Sequence, residues 1–390
     1  MASKGFTPPA DKLQPPVAPA AVPAVRAAMR AVAWREFAQD TAAWDVLAAN
    51  AAEPNPFFEA WYAQPSLEAF DAEGDVKILS FEQEGRLLGL MPIARQSRYY
   101  GMPIPNIGNW LHANAFLGTP LVARGSEVAF WQALLRWMDA NAGAALFLHL
   151  RAIPLDGPLY AALRGVLECE SRAWQCVHRE ERALLASAQD PQAYWEASLS
   201  GKKRKELRRQ LRRLSEEGEV LFERQEDDAG LDQWLDEFLA LEKAGWKGTE
   251  GSALACAADT ERLFRESLAG AAARGKLERL TMRFDGKPIA MLATFLCQPG
   301  AFSYKTAFDE DFSRFSPGVL LQEENLRMLE RKDIAWTDSC ASADHPMIDH
   351  IWRERRAVGR FSIAIGGTAR RFAFRQLSRV EQGHDPEGGA

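Results

Sequence analysis

The chain has 390 residues, 47% hydrophobic and 26% charged, with a formal net charge of −6. This is globular composition, too long for one ordinary core and sufficient for two domains plus a tail. The acidic balance argues against a nucleic-acid binder. The five cysteines (Cys169, Cys176, Cys256, Cys297, Cys340) contain no Cys-x-x-Cys pair, which argues against a disulfide framework or structural zinc and fits a reducing cytoplasm.

Met1 to Val25 is Ala/Pro-rich, and a disordered or extended tail is expected over 1–30. Its apolar part is cut by prolines and is no membrane anchor. No apolar run reaches the length of a membrane span, and the N-terminus lacks the basic start and unbroken apolar core of a signal peptide. A first domain is expected over 31–190. Trp34–Ala52 reads as helix, broken at Glu53-Pro-Asn-Pro56, with a short aromatic helix from Phe57. Val76–Glu82 and Arg86–Arg95 flank Glu84-Gly85, a hairpin signal. Tyr99–Leu121, rich in Gly, Pro, Asn and aromatics, reads as a long irregular loop with a short strand at its end, and loops of that length tend to be functional. Val128–Asn141 and Leu159–Leu167 read as helices, Ala144–Leu150 and Arg172–Leu185 as strands.

A second domain is expected over 191–375, with a flexible tail over 376–390. It opens on the basic run Lys202–Arg213, whose leucines mark a helix stripe. Such a run is either a solvated face or an anion site, for cofactor phosphates or an anionic membrane surface. Val220–Gln225 reads as strand, Leu231–Lys243 as helix, and Ser252–Arg274 as mostly helix. Leu277–Phe284 and Ile289–Leu296 flank Asp285-Gly286, repeating the grammar of the first hairpin. Two α/β domains of duplicated plan are therefore expected, rather than a solenoid.

Phe302–Phe308 has strand content, Arg314–Gly318 forms a turn, and Val319–Arg331 carries apolar residues at helical spacing. Ser316 and Pro317 stand where a helix is capped and begun. Unpaired amides and the helix dipole make such a start suited to phosphate; an ordinary strand–turn–helix connection reads the same way.

Five stretches then carry a resemblance: Leu199-Ser-Gly-Lys-Lys-Arg-Lys-Glu-Leu-Arg-Arg, Glu242-Lys-Ala-Gly-Trp-Lys-Gly, Tyr304-Lys-Thr-Ala-Phe-Asp, Phe315-Ser-Pro-Gly-Val-Leu-Leu, and Asp338-Ser-Cys with Asp344-His-Pro-Met-Ile-Asp-His and Trp352-Arg-Glu-Arg-Arg. Together they resemble the CelD-like acetyltransferases of the GNAT superfamily, related in architecture to the double-domain FemX-type transferases. The resemblance covers roughly 31–367. It implies tandem GNAT-like domains of α/β (α+β) class, each a mixed, mostly antiparallel sheet flanked by helices. It also implies acyl-CoA as co-substrate, with its thioester between splayed strands and its pantetheine along Tyr304–Phe308. The pyrophosphate would sit on Arg314, Ser316, Pro317, Gly318, Val319 and Leu320. Pro317 stands where the family's phosphate loop usually has its first glycine.

An N-acyltransferase needs a proton acceptor for the amine and a donor for the oxyanion, and no metal is expected. Asp338, His345, Lys305 and Glu242 are the candidate catalytic groups. Trp246, Lys247, Asp309 and Cys340 are candidates for the acceptor site. Trp352–Arg356 reads as a packed, salt-bridged helix. A cysteine hydrolase built on Cys340 and His345 lacks an oxyanion motif. Bacterial ceramide synthases look like members of the same group, so the expected acceptor is an aminolipid such as a sphingoid base. An amino sugar or envelope polysaccharide is the alternative, and a non-catalytic CoA- or precursor-binding scaffold the second. The expected place is the cytoplasm, with peripheral contact at the inner membrane through 202–213.

Overall fold

The computed structural model describes residues 27–383. Residues 1–26 of the tail expected over 1–30, and 384–390 of the tail expected over 376–390, lie outside the described residues. The described ends depart from expectation: Ala27–Ala33 is strand and Thr368–Gln382 is helix. Among the described residues no helix is long and apolar enough to cross a membrane.

The strands are β1 (Ala27–Ala33), β2 (Lys77–Gln83), β3 (Arg86–Gln96), β4 (Asn106–Asn109), β5 (Leu121–Val122), β6 (Phe147–Pro154), β7 (Trp174–Leu185), β8 (Val220–Gln225), β9 (Leu277–Phe284), β10 (Lys287–Cys297), β11 (Gly300–Phe308), β12 (Trp336–Asp338) and β13 (Glu354–Ala364). They form one mixed sheet in the order β1-β2-β3-β4-β6-β13-β7-β12-β11-β10-β9-β8, with β5 beside β3.

The order contains the same series twice. β1, β2, β3 and β4 pair antiparallel in turn, and β4 then pairs parallel with β6. β8, β9, β10 and β11 pair antiparallel in turn, and β11 then pairs parallel with β12. Both hairpins turn on two residues of positive φ, Glu84-Gly85 and Asp285-Gly286, which matches the twist of the flanking strands. The duplication read from those turns is present in the pairing.

The two series exchange strands at the centre. β13, from the end of the chain, lies between β6 and β7. β7, from the first half, lies between β13 and β12. The sheet therefore runs unbroken past the expected boundary near residue 190. Trp352–Arg356 is not helix: the chain leaves Trp352 and enters β13 at Glu354. Long-range pairing on both edges overrides the helix-like run of charge, and its arginines point where partners wait.

Helices cover the sheet and tie the halves together. Ala60–Phe70 packs on Ala258–Ala272, where a Cβ at Gly270 would lie 3.0 Å from the Cβ of Trp61. An aromatic cluster crosses the same seam, with Phe295 stacked on Tyr304 at 4.6 Å and edge-on to Trp61 at 4.9 Å. One continuous apolar core draws residues from both halves.

Candidate active site

β11 and β12 pair over only three positions, Gly300 with Trp336, Ala301 with Thr337 and Phe302 with Asp338. β12 then ends while β11 continues to Phe308. The strands part, and a cavity of about 260 Å³ lies in the gap, walled by Ser303–Phe308 on one side and Ser339–Ala341 on the other. Beyond Phe302 this edge of β11 has no strand partner among the described residues. An extended ligand can take its free backbone groups as an added strand would.

A second, mainly apolar cavity of about 590 Å³ adjoins the first and shares Trp246, Phe308, His345 and Met347 with it. Two helices begin at its wall. Gly201–Glu217 is capped by Ser200, whose Oγ accepts from the Lys203 amide at 3.3 Å, and Lys203 lines the cavity. Pro317–Asn325 starts after Ser316, which holds a left-handed φ of 56°. The Val319 and Leu320 amides are already taken by the Ser316 carbonyl at 3.0 and 3.1 Å. Pro317 has no N–H, so Gly318 supplies the free amide of this turn. A Cβ on Gly318 would meet Met347 Sδ at 3.1 Å and Phe308 Cδ1 at 3.3 Å.

Lys305 lies in the gap. Its Nζ donates to Asn114 Oδ1 at 2.8 Å, with the rings of Phe116 and Tyr304 5.4 and 5.6 Å away. Burial, with Lys247 adding repulsion, lowers its pKa from 10.5 to about 8. Asn114 belongs to the long loop between β4 and β5. Its backbone carbonyl accepts from Tyr62 Oη, which stands 3.1 Å from Tyr304 Oη. First-half residues thus hold the lysine of the second half.

His345 stands at the junction of the two cavities. Its Nδ1 accepts from the Met347 and Ile348 amides at 3.3 and 3.4 Å. That bond places the ring proton on Nε2. Burial lowers its pKa, so the neutral ring is a donor. Glu242 is buried with both oxygens engaged, by Lys247 Nζ at 2.8 Å and the Leu254 amide at 2.8 Å. Trp246 is half exposed at the mouth. Burial pushes the Cys340 thiol well up, which leaves it a poor nucleophile.

The fold thus brings together Lys305, His345, Glu242, Trp246, Lys247, Tyr304 and Cys340, with Ser316, Pro317, Gly318 and Val319 in the adjoining cavity. Four expected residues stand elsewhere. Asp338 is fully buried, with Oδ2 2.7 Å from Arg182 and 3.3 Å from Arg356 and Oδ1 taken by the Cys340 amide at 2.9 Å. Burial raises its pKa, but the two guanidiniums outweigh that and hold it low, so it is an ion-pair centre rather than a base. Asp309 caps the turn Glu310–Phe315 by accepting from the Asp311 amide at 2.9 Å. Arg314 lies on the surface, paired with Glu217 at 2.8 Å. Leu320 is in the core.

Sequence reasoning missed Asn114, Tyr62 and Lys203 as site residues. Lys203 had a signal in the basic run, whose other members include surface pairs such as Arg204–Glu196 and Arg212–Glu216. Asn114 had only the length of its loop.

Comparison with known proteins bears on the fold and on residues 201–345. No curated protein sequence matches the chain. Among solved structures, FemX superposes with a TM-score of 0.53 at 11% identity, covering 88% of this chain and 98% of that one. A conserved protein of unknown function from Bacteroides thetaiotaomicron gives 0.52 at 11% identity, covering 83% and 97%. The C-terminal DUF2156 domain of an Agrobacterium fabrum protein assigned as a lysylphosphatidylglycerol synthetase gives 0.51 at 14%, covering 90% and 98%. These likenesses concern the fold. The family model described as an acetyltransferase (GNAT) domain matches residues 201–345, which hold both helix starts, β11, β12 and Lys305. Residues 201–345 carry a GNAT acetyltransferase domain, and on that match the chain is an acyltransferase.

Proposed function

We propose that the chain transfers an acyl group from acyl-CoA to an amine by direct attack, with Lys305 as the proton acceptor. The carrying observation is the gap between β11 and β12, which holds a lysine of lowered pKa and opens onto a cavity walled by two helix starts. The pyrophosphate of CoA rests near the Gly318 amide, Lys203 and the first turn of Gly201–Glu217. The pantetheine arm follows the free edge of β11 and places the thioester near His345.

Neutral Lys305 takes a proton from the amine as its nitrogen bonds to the thioester carbon. The carbonyl oxygen gains charge in the tetrahedral intermediate. In this reading the Nε2–H of His345 donates a hydrogen bond to that oxygen or to the departing sulfur. Collapse breaks the C–S bond and leaves the amide, and the proton that Lys305 took from the amine passes to the sulfur, so that CoA departs as thiol and Lys305 is neutral again. Glu242 holds Lys247 in place and takes no proton. Trp246 and Cys340 line the space that the acceptor and acyl group share.

The finer reading is long-chain transfer to an aminolipid of the sphingoid type. What supports it is the apolar wall of the larger cavity, where Leu199, Val319, Met347 and Ile351 surround about 590 Å³. Thermal-shift and thiol-release assays with CoA, acetyl-CoA and palmitoyl-CoA test both levels. Stabilisation by CoA, with thiol release from palmitoyl-CoA that depends on a sphingoid base, is the expected result. Release from acetyl-CoA only, with amino-sugar acceptors, replaces the lipid reading by the polysaccharide one. CoA binding without release for any amine leaves a binding scaffold, and no stabilisation by any CoA overturns the assignment.

A further inference from the structure

The duplicated plan contains a second parting of parallel strands. β4 and β6 pair at Ile107–Leu148 and Gly108–His149 and then separate. A cavity of about 320 Å³ lies there, roofed by the loop Leu111–Ala115 and floored by β6, β13 and β7. Two irregularities meet at its floor. β6 carries an extra residue opposite Arg360, at Arg151–Ala152, with Ala152 at a φ of 54°. β7 carries an extra residue, Val177, opposite the same level of β13. Bulges re-aim the side chains beside them, and Arg151, Arg360 and His178 all line the cavity. Asn109 braces the first bulge, since its Oδ1 accepts from the Arg151 amide and its Nδ2 donates to the Arg151 carbonyl, both at 2.8 Å.

The charges at this floor are not balanced. Arg151 Nη2 donates to the carbonyls of Asn109 and Leu111 at 3.3 Å, and Arg360 Nη1 reaches Tyr100 Oη at 3.4 Å. Among the described residues neither guanidinium has a carboxylate partner, and burial together with Arg360 disfavours the charge on Arg151. The carboxylate in the wall, Glu180, stands 3.3 Å from His178. His112 Nδ1 accepts from the Asn114 amide at 3.3 Å, which puts its proton on Nε2. Among the described residues that Nε2 and Arg151 Nε are buried without a partner. Two adjacent guanidiniums with donors to spare, in a concave site, have one complementary guest: an oxyanion.

We propose that this cavity binds a carboxylate or phosphate group on Arg151 and Arg360. The roof loop then links the guest to the active site. His112 and Asn114 are two residues apart, and Asn114 holds Lys305. The group is either a free anion or the anionic end of the acceptor. The second source rests on the amine-acylation reading; the first does not.

The test titrates the full chain, with CoA present in excess, with sodium phosphate and with sodium acetate at constant ionic strength. A saturable rise in Tm is expected, and Arg360→Gln should weaken it at least tenfold. Arg151→Gln should do the same, but Arg151 also holds loop carbonyls, so Arg360→Gln decides. An unsaturable response, or one that Arg360→Gln leaves unchanged, overturns the site. Paired amines with and without a carboxylate then separate the sources. A KM raised by Arg360→Gln for the carboxylated amine alone assigns the site to the acceptor. An unchanged KM with phosphate still saturating assigns it to a free anion. If no amine is acylated, the anion titration still stands by itself.

Discussion

The two partings of parallel strands start from the same pairing and end differently. Between β4 and β6 the amide of Asn109 bridges the gap, bonded to both backbone groups of Arg151 and to the Gly118 carbonyl at 2.9 Å. Gly118 fits only because it lacks a Cβ, which would fall 2.0 Å from the Arg151 carbonyl oxygen. Between Ser303–Phe308 and Ser339–Ala341 no hydrogen bond crosses among the described residues. One gap is bridged by a side chain, with the cavity of Arg151 and Arg360 beside the bridge. The other stays open and holds a lysine. A duplicated backbone can therefore divide its labour through a few polar side chains, while the sheet itself stays the same.

The sharpest way to break this comparison is to remove what the open gap holds. Lys305→Met should lower kcat by about 10²–10⁴-fold with Tm nearly unchanged, read by thiol release and thermal melting. The pH profile sharpens the same point. Folding lowers the Lys305 pKa from 10.5 to about 8, so the base form, and with it the rate, should rise as pH increases through about 8 and fall away below it. An acceptor amine whose own pKa lies well under neutrality isolates this group. A flat profile with such an acceptor would remove Lys305 from the proton transfer.

The next effect falls on stability. Asp338→Ala leaves Arg182 and Arg356 buried without their shared carboxylate, which should cost about 3–5 kcal/mol in urea unfolding. A cost under about 1 kcal/mol would mean that the pair is not the centre it looks to be. Asn109→Leu removes the bridge across the β4–β6 gap and should cost about 1–3 kcal/mol, since it leaves buried Arg151 and Gly118 groups unpaired. The smallest effect concerns the cofactor cavity. Gly318→Val should weaken CoA binding about tenfold, because the new side chain meets Met347 and Phe308, whereas Arg314→Ala should leave it unchanged. Equilibrium titration with CoA checks both, and the reverse ranking would return the phosphate site to Arg314.

Much of this architecture was legible from local pattern. The two hairpins, most helices and β11 with its turn were set by alternation, helical spacing and Gly-containing turns that act within a few residues. β13 was not legible, because its arginines and Gly359 make a strand only between β6 and β7, about 200 residues back along the chain. β1 failed for a similar reason: its alanines have little strand preference and follow β2 by pairing. At the site, Lys305 and the Gly318 turn stood out, since both lie on elements with strong local signals. Asp338 misled because its partner Arg182 is 156 residues away, and an acid at a strand end looks the same paired or free. Asn114 could not be weighed at all without the fold, as nothing near it in sequence names Lys305.

The exchange of β7 and β13 also bears on how the chain can be assembled. On the ribosome, residues 27–185 emerge long before Glu354–Ala364, yet β6 and β7 have no edge partner between them until that last strand arrives. The nascent first half must wait with one edge of β6 and both edges of β7 open, a state exposed to misassociation. Such sequence-distant pairing also slows folding. Cutting the gene near residue 190 would therefore yield two incomplete sheets rather than two domains, and mixing the pieces would have to supply each with the strand it lent to the other.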